Sequence, residues 1–168
     1  ERKLLNNKGE SRKSLRKLII TPAGWNFLSE TKNRAAQSSR CFVAMSFSPT
    51  LDEVWAEAIQ PAIESSGFEP HRIDQTPHNE RIDVKIMADI KESAFVVADV
   101  TEQKAGVYFE AGYAMGIGIP VIWSVRQDDL PNVHFDTRQY CHIVWESKED
   151  FKQKLEDFIV AIIGRGRR

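Results

Sequence analysis

From Cys41 onward, short apolar runs alternate with stretches in which apolar residues recur every three or four positions. Short apolar runs bounded by turn residues and rich in β-branched side chains predict buried strands. Four such runs lie at 41–45, 95–99, 119–123 and 142–145, and the more polar stretch 68–73 predicts a short second strand of the sheet. The three-to-four spacing predicts amphipathic helices. They lie at 51–67, 82–90, 107–116 and 151–163. Pro61 falls inside the first predicted helix and predicts a kink there.

Strands that alternate with helices in this way predict an α/β fold, a three-layer sandwich around a five-stranded parallel sheet. The predicted strand order is 2-1-3-4-5. In open parallel sheets, ligands bind outside the carboxyl ends of the strands, at the point where the strand order reverses. We therefore expect a crevice between the first and third strands.

Acidic residues follow the predicted strands at this edge of the sheet. Asp74 follows the second strand, Asp99 ends the third, and Glu110 lies in the first two turns of the next helix. Arg72 and Tyr108 are expected nearby. The pattern predicts a carboxylate site. The alternative is structural: Asp99 ends a strand or caps a helix, and Glu110 is an acid favoured by the positive end of the helix dipole.

Several classes of site have no support in the sequence. The chain contains neither GxGxxG nor GxxxxGK[ST], which are typical of dinucleotide and P-loop phosphate sites. It also lacks a GxSxG nucleophile turn. Cys41, Cys141 and the scattered histidines do not have metal-ligand spacing, so we expect neither a metal nor a cofactor. No apolar run approaches the roughly 20 residues of a membrane helix, and cysteines within apolar runs are typical of a reducing cytoplasm.

Charge divides the chain into two predicted parts. Residues 1–40 hold ten Lys and Arg and three Glu, whereas residues 41–168 hold thirteen Lys and Arg and twenty-one acids. We expect a basic N-terminal extension at 1–40, preceded by further chain because the first residue is Glu, and an α/β domain at 41–168. A strand at 18–20 followed by a helix starting at Thr21-Pro22 resembles the end of a winged-helix domain. This segment is either part of a nucleic-acid-binding or dimerising module or a basic extension lying on the main domain.

Two motifs resemble the nucleoside 2-deoxyribosyltransferase-like family. They are CFVAMSF at 41–47 and ADVTEQKAGVYFEAGYAMGIGIPVI at 98–122, and the resemblance spans about residues 41–146. It implies a flavodoxin-like sandwich and an enzyme that cleaves or exchanges the N-glycosidic bond of nucleosides. Related TIR-type domains cleave the bond between nicotinamide and ribose of NAD, also through a Glu.

The resemblance implies roles for individual residues. Glu110 matches the nucleophilic Glu, and Asp99 matches the acid that binds the substrate. The loop Met45-Ser46-Phe47 matches the segment that lines the base pocket.

The sequence departs from the family pattern at three places. Ser46 replaces the usual Pro, and the loop EQKAG replaces the commoner Asn-Pro-Asn, so Gly106 stands where an Asn can cap the helix. Phe109 replaces the Tyr beside the Glu, and a Phe has no hydroxyl to help aim the carboxylate. These departures favour a second hypothesis, a nucleotide-sensing module without catalysis that is coupled to an N-terminal nucleic-acid-binding domain.

Further expectations concern phosphate and self-association. Arg72 or Arg138 is positioned to hold a phosphate, which favours nucleotides over nucleosides. Loops as long as 126–140 are more often functional than idle, so we expect this one to border the pocket.

The resemblance implies a homodimer or higher oligomer. The association surface is predicted at three apolar residues, Trp55, Met115 and Ile117; the alternative is that they belong to the core.

Overall fold

The computed structural model describes residues 5–7, 18–26, 38–73 and 82–166 of the chain. The strands are β1 (Leu5–Asn7), β2 (Leu18–Ile20), β3 (Arg40–Ala44), β4 (Glu69–His71), β5 (Phe95–Asp99), β6 (Val121–Arg126) and β7 (His142–Trp145). The helices are α1 (22–26), α2 (Pro49–Val54), α3 (Gln60–Ser65), α4 (Ile82–Lys91), α5 (Ala105–Gly116) and α6 (Lys148–Ile162). Asp74, predicted to be near the crevice, lies outside the described residues.

Five strands form one parallel sheet in the order β4-β3-β5-β6-β7. This is the predicted order 2-1-3-4-5, and the α/β prediction is confirmed. Alternate residues of a strand point to opposite faces. Val43 and Val97 therefore belong to the core beneath α2, α3 and α6, whereas Ala44 and Ala98 belong to the core beneath α4 and α5. Among the described residues, no helix is both long enough and apolar enough to cross a bilayer.

The predicted helix after β3 is irregular in the turn that precedes Pro61, the residue at which a kink was expected. A π-helical turn, Trp55–Ile59, joins α2 to α3, and the Gln60 amide donates to the Trp55 carbonyl. The wider turn lies directly before Pro61, whose ring has no N–H to donate and crowds the turn that precedes it. Trp55 is 4% exposed and belongs to the core, which is the second of the two alternatives for this residue, and not to an association surface.

The fourth strand of the sheet, β6, begins later and runs further than predicted. Pro120 precedes it, and ladder pairing with β5 starts at Val121. The strand continues through the polar Ser124 because this residue is paired with Asp99 and donates a hydrogen bond to its carboxylate. β6 therefore continues beyond the end predicted from the apolar run, because Ser124 has a buried polar partner in Asp99.

The elements β2 and α1 agree with the local prediction, whereas β1 was not predicted. β1 pairs with β2 in an antiparallel arrangement, and β2 leads into α1. The Thr21 side chain accepts a hydrogen bond from the Gly24 amide at 3.1 Å, as expected of a residue that caps a helix start. The division of the chain at residue 40 stays a prediction, as does binding of nucleic acid by the first part.

Candidate active site

A cavity of about 410 Å³ opens beyond the carboxyl ends of β3 and β5, at the predicted crevice. The residues that line it are Met45, Ser46, Phe47, Ser48, Lys104, Gly106, Val107 and Glu110. The structure therefore brings together four of the predicted site residues, the loop 45–47 and Glu110.

Glu110 lies in the second turn of α5, at the edge of its buried face. Val107 and Ala111 pack into the core on either side of it along the helix, so the Glu110 side chain is half-buried. Burial raises the pKa of Glu110 from its usual range to about 7. Among the described residues, no hydrogen-bond donor or cation pairs with this carboxyl. Glu110 is therefore a partly desolvated acid at the wall of the cavity.

Asp99 is in a different environment. Its side chain has no exposed surface. Its carboxylate accepts hydrogen bonds from the Thr101 amide at 3.1 Å, Ser124 Oγ at 2.7 Å and Trp145 Nε1 at 3.0 Å. Burial raises the pKa of Asp99, and these donors oppose the rise. In this structure the Asp99 carboxylate joins β5 to β6 and β7 and does not line the cavity.

Arg72 lies behind the cavity, next to two of its lining residues. It is 6% exposed, and its guanidinium is 3.9 Å from Met45 Sδ and 5.7 Å from the centre of the Phe47 ring. Arg72 Nη2 also donates to Asp52 Oδ1 at 3.1 Å. The guanidinium is thus ion-paired and packed on an aromatic ring.

Tyr108 and Arg138, two further predicted site residues, do not line this cavity. The Tyr108 hydroxyl donates to Gln103 Oε1 at 2.5 Å and accepts from the His134 amide at 3.2 Å. Arg138 lines a separate cavity of about 500 Å³, where its guanidinium donates to two backbone carbonyls of the loop 126–140. No lining residue of the first cavity comes from this loop, contrary to the expectation that it borders the pocket.

A carboxylate that the sequence did not single out lies at the edge of the cavity. Glu102 Oε2 accepts from Ser46 Oγ at 2.6 Å, and Oε1 accepts from Ser48 Oγ at 2.6 Å and Thr50 Oγ1 at 2.9 Å. Lys104 Nζ is 3.6 Å from Oε2. We call these three hydroxyls and Lys104 the hydroxyl cradle. Hydrogen bonds from Ser46 and Ser48 lower the pKa of Glu102 to about 2.

The backbone around Glu102 has an uncommon conformation. Glu102 and Gln103 have φ angles of 68° and 53°, in the left-handed region that most residues other than Gly avoid. Asp129 Oδ2 accepts from the Glu102 amide at 2.7 Å and from Gln103 Nε2 at 2.9 Å. Such conformations persist where the surroundings fix them. The loop after β6 therefore holds Glu102 in place through Asp129.

The sequence contained a partial signal for this feature. Glu102 belongs to the EQKAG loop, one of the departures from the family pattern, and three hydroxyl residues lie within the five positions 46–50. Their convergence on one carboxylate more than fifty positions away is a tertiary contact. The spacing of residues along the sequence could not predict this convergence.

Comparisons with known proteins bear on the fold. No protein-family model matches the chain, and a search of the curated proteins finds no match. The structure is similar to that of the CMP N-glycosidase BcmB of Clostridium botulinum, with a TM-score of 0.58 and 17% sequence identity over 71% of this chain and 98% of that one. The comparisons give no support to the winged-helix resemblance. At this identity the likeness shows the fold alone, the α/β flavodoxin-like sandwich.

Proposed function

We propose that the cavity binds a nucleoside or nucleotide and that Glu110 cleaves its N-glycosidic bond. The observation that carries this proposal is the state of Glu110, a half-buried carboxyl at the wall of a 410 Å³ cavity with no partner among the described residues. Carboxylates left without partners in clefts are candidates for chemistry. The proposal is also supported by the fold shared with a CMP N-glycosidase.

The proposed reaction proceeds in two displacements. A Glu110 carboxylate oxygen forms a bond to C1′ as the bond from C1′ to the base nitrogen breaks, through an oxocarbenium-like transition state. The electron pair of the broken bond stays on the base nitrogen, which takes up a proton. Water then attacks C1′ and displaces the Glu110 carboxylate. The water oxygen stays on the sugar and its proton passes to solvent, so Glu110 is regenerated as the carboxylate.

The raised pKa of Glu110 predicts how this reaction depends on pH. The nucleophile is the ionised form, and the pKa of about 7 leaves a falling ionised fraction below neutrality. Base release should therefore rise about tenfold per pH unit below pH 7 and level off above it. A rate that falls as pH rises through 7 would instead indicate that Glu110 acts as an acid.

A specific observation favours a second candidate, a nucleotide-binding module that senses without cleaving. The Asp99 carboxylate is fully buried and bonded within the fold, and the Glu102 carboxylate is held by the hydroxyl cradle. Glu110 therefore lacks a second acid, among the described residues, that is free to grip the sugar or protonate the base. Phe109 is 57% exposed and offers no hydroxyl to replace one.

A base-release assay separates the two candidates. The protein is incubated with nucleosides, their 5′-monophosphates and NAD, and the products are separated by chromatography. Glu110→Gln should reduce release by about a thousandfold or more. The matched control is Glu92→Gln, because the Glu92 carboxylate is 69% exposed and precedes the amino end of β5.

The outcomes of the assay separate the candidates. Equal release by the wild type and Glu110→Gln would contradict the role of Glu110. Release of nicotinamide from NAD would favour the TIR-like alternative. No release from any compound, with binding detected by calorimetry, would favour the sensing module. Self-association is a separate proposal, tested by sedimentation.

A further inference from the structure

We propose that Glu102 selects the substrate: its carboxylate fills an anion-binding cradle at the edge of the cavity, excludes the phosphate of a nucleotide and leaves unphosphorylated nucleosides as substrates. This inference rests on the proposed function of the cavity. It assigns to Glu102 a role in specificity and none in the chemical step.

The first step of the argument is the chemistry of the hydroxyl cradle. Hydroxyl and ammonium groups are hydrogen-bond donors that suit phosphate oxygens as well as carboxylate oxygens. Ser46, Ser48 and Lys104 line the cavity, so a ligand in the cavity lies next to them. Without Glu102, these groups would form a phosphate site.

The second step is occupancy. An ionised carboxylate has about four lone-pair positions. Three of them in Glu102 receive hydroxyl donors at 2.6–2.9 Å, and Lys104 lies 3.6 Å away. Glu102 thus has little capacity left for ribose hydroxyls, and the cradle has little left for a phosphate.

The third step is the balance of charge. Lys104 is paired with Glu102, and Arg72, the cation behind the cavity, is paired with Asp52 at 3.1 Å. A phosphate monoester brings about two negative charges at neutral pH. It would meet the Glu102 carboxylate with both of these cations already engaged.

The fourth step is rigidity. The hydrogen bonds of Asp129 to the Glu102 amide and the Gln103 side chain fix the left-handed turn from which Glu102 projects. Moving the carboxylate out of the cradle would break these contacts or the hydroxyl bonds. The Glu102 carboxylate is therefore built into the site and is not a side chain that yields readily to an anion.

Substitution of Glu102 tests the inference by binding and by turnover. Glu102→Ala should bind inorganic phosphate at least about tenfold more tightly than the wild type in calorimetry, because the cradle donors become available. The ratio of kcat/KM for a nucleoside 5′-monophosphate to that for its nucleoside should rise by a similar factor. Circular dichroism checks the fold, and Glu102→Gly, which also empties the cradle and suits the φ of 68° at this position, replaces the Ala variant if that variant does not fold.

Two controls separate the cradle from general charge effects. Glu92→Ala removes one negative charge near the amino end of β5 and should leave phosphate affinity unchanged. Adding Ser46→Ala and Ser48→Ala to Glu102→Ala should abolish the gain. Unchanged phosphate affinity and an unchanged kcat/KM ratio in Glu102→Ala would overturn the inference even if Glu110→Gln abolishes base release. If no variant releases base, the proposed cleavage fails, and the phosphate titration still decides the role of the cradle.

Discussion

Asp99 and Glu110 are eleven positions apart, and both carboxyls are withdrawn from solvent, Asp99 completely and Glu110 in part. Around Asp99, an amide, a hydroxyl and an indole N–H converge on the carboxylate. Around Glu110, the described residues supply no donor, and the carboxyl borders a cavity. One motif therefore contains a carboxylate with a structural role and one left without partners.

Burial alone does not distinguish the two. Burial raises the pKa of each carboxyl because it disfavours the charged form. The difference lies in the partners, since a buried polar group costs little free energy when it is hydrogen-bonded and much when it is not. The Asp99 network helps the fold, whereas the charged form of Glu110 works against it. This comparison predicts opposite effects of substitution on stability.

The largest effect is expected for Asp99→Ala. The substitution leaves the Thr101 amide, the Ser124 hydroxyl and the Trp145 indole N–H without an acceptor in the core, so the free energy of unfolding should fall by about 3–5 kcal/mol. Urea denaturation measures this fall. Asp99→Asn keeps the shape and a carbonyl acceptor and should cost less. A loss below about 1 kcal/mol in the Ala variant would contradict the structural role.

Glu110→Gln is expected to stabilise the protein in a pH-dependent way. The folded-state pKa of about 7 lies above the usual value of 4.5, so wild-type stability is lost as pH rises through 7. At pH 8 the Gln variant should be more stable by about 1–3 kcal/mol, and at pH 4 the difference should vanish. Thermal or urea unfolding at both pH values tests this, with Glu92→Gln as the exposed control. An equal difference at both pH values would point to packing as the cause.

The smallest effect is expected for Ser124→Ala, which removes one of the three donors to Asp99. The free energy of unfolding should fall by about 1–2 kcal/mol, since the Thr101 and Trp145 bonds remain. The pH dependence of base release should not change, because Asp99 does not line the cavity. A shift in that profile would show that the Asp99 network and Glu110 are coupled.

Particular residues show how much of the fold and of the candidate site the sequence could predict. The alternation of strand and helix patterns predicted the parallel sheet, and continuous apolar runs predicted β3 and β5, which are buried on both faces. The motif resemblance and the position of Glu110 after the third strand predicted that Glu110 would face the crevice, and Glu110 lines the cavity there. Asp99 follows the same strand-end pattern and is buried, because its environment depends on Ser124 and Trp145, which lie 25 and 46 positions away.

The sequence by itself determined the α/β architecture and the edge of the sheet at which the cavity lies, because alternating strand and helix patterns specify a parallel sheet and ligands bind beyond the carboxyl ends of its strands. Only the tertiary structure decided which carboxylates are available to a ligand. The Asp99 carboxylate is hydrogen-bonded within the core, Arg138 lines a different cavity, and the Glu102 carboxylate lies in the hydroxyl cradle. The physical reason is that the state of a polar side chain depends on the donors, acceptors and water around it, and here those groups come from distant parts of the chain.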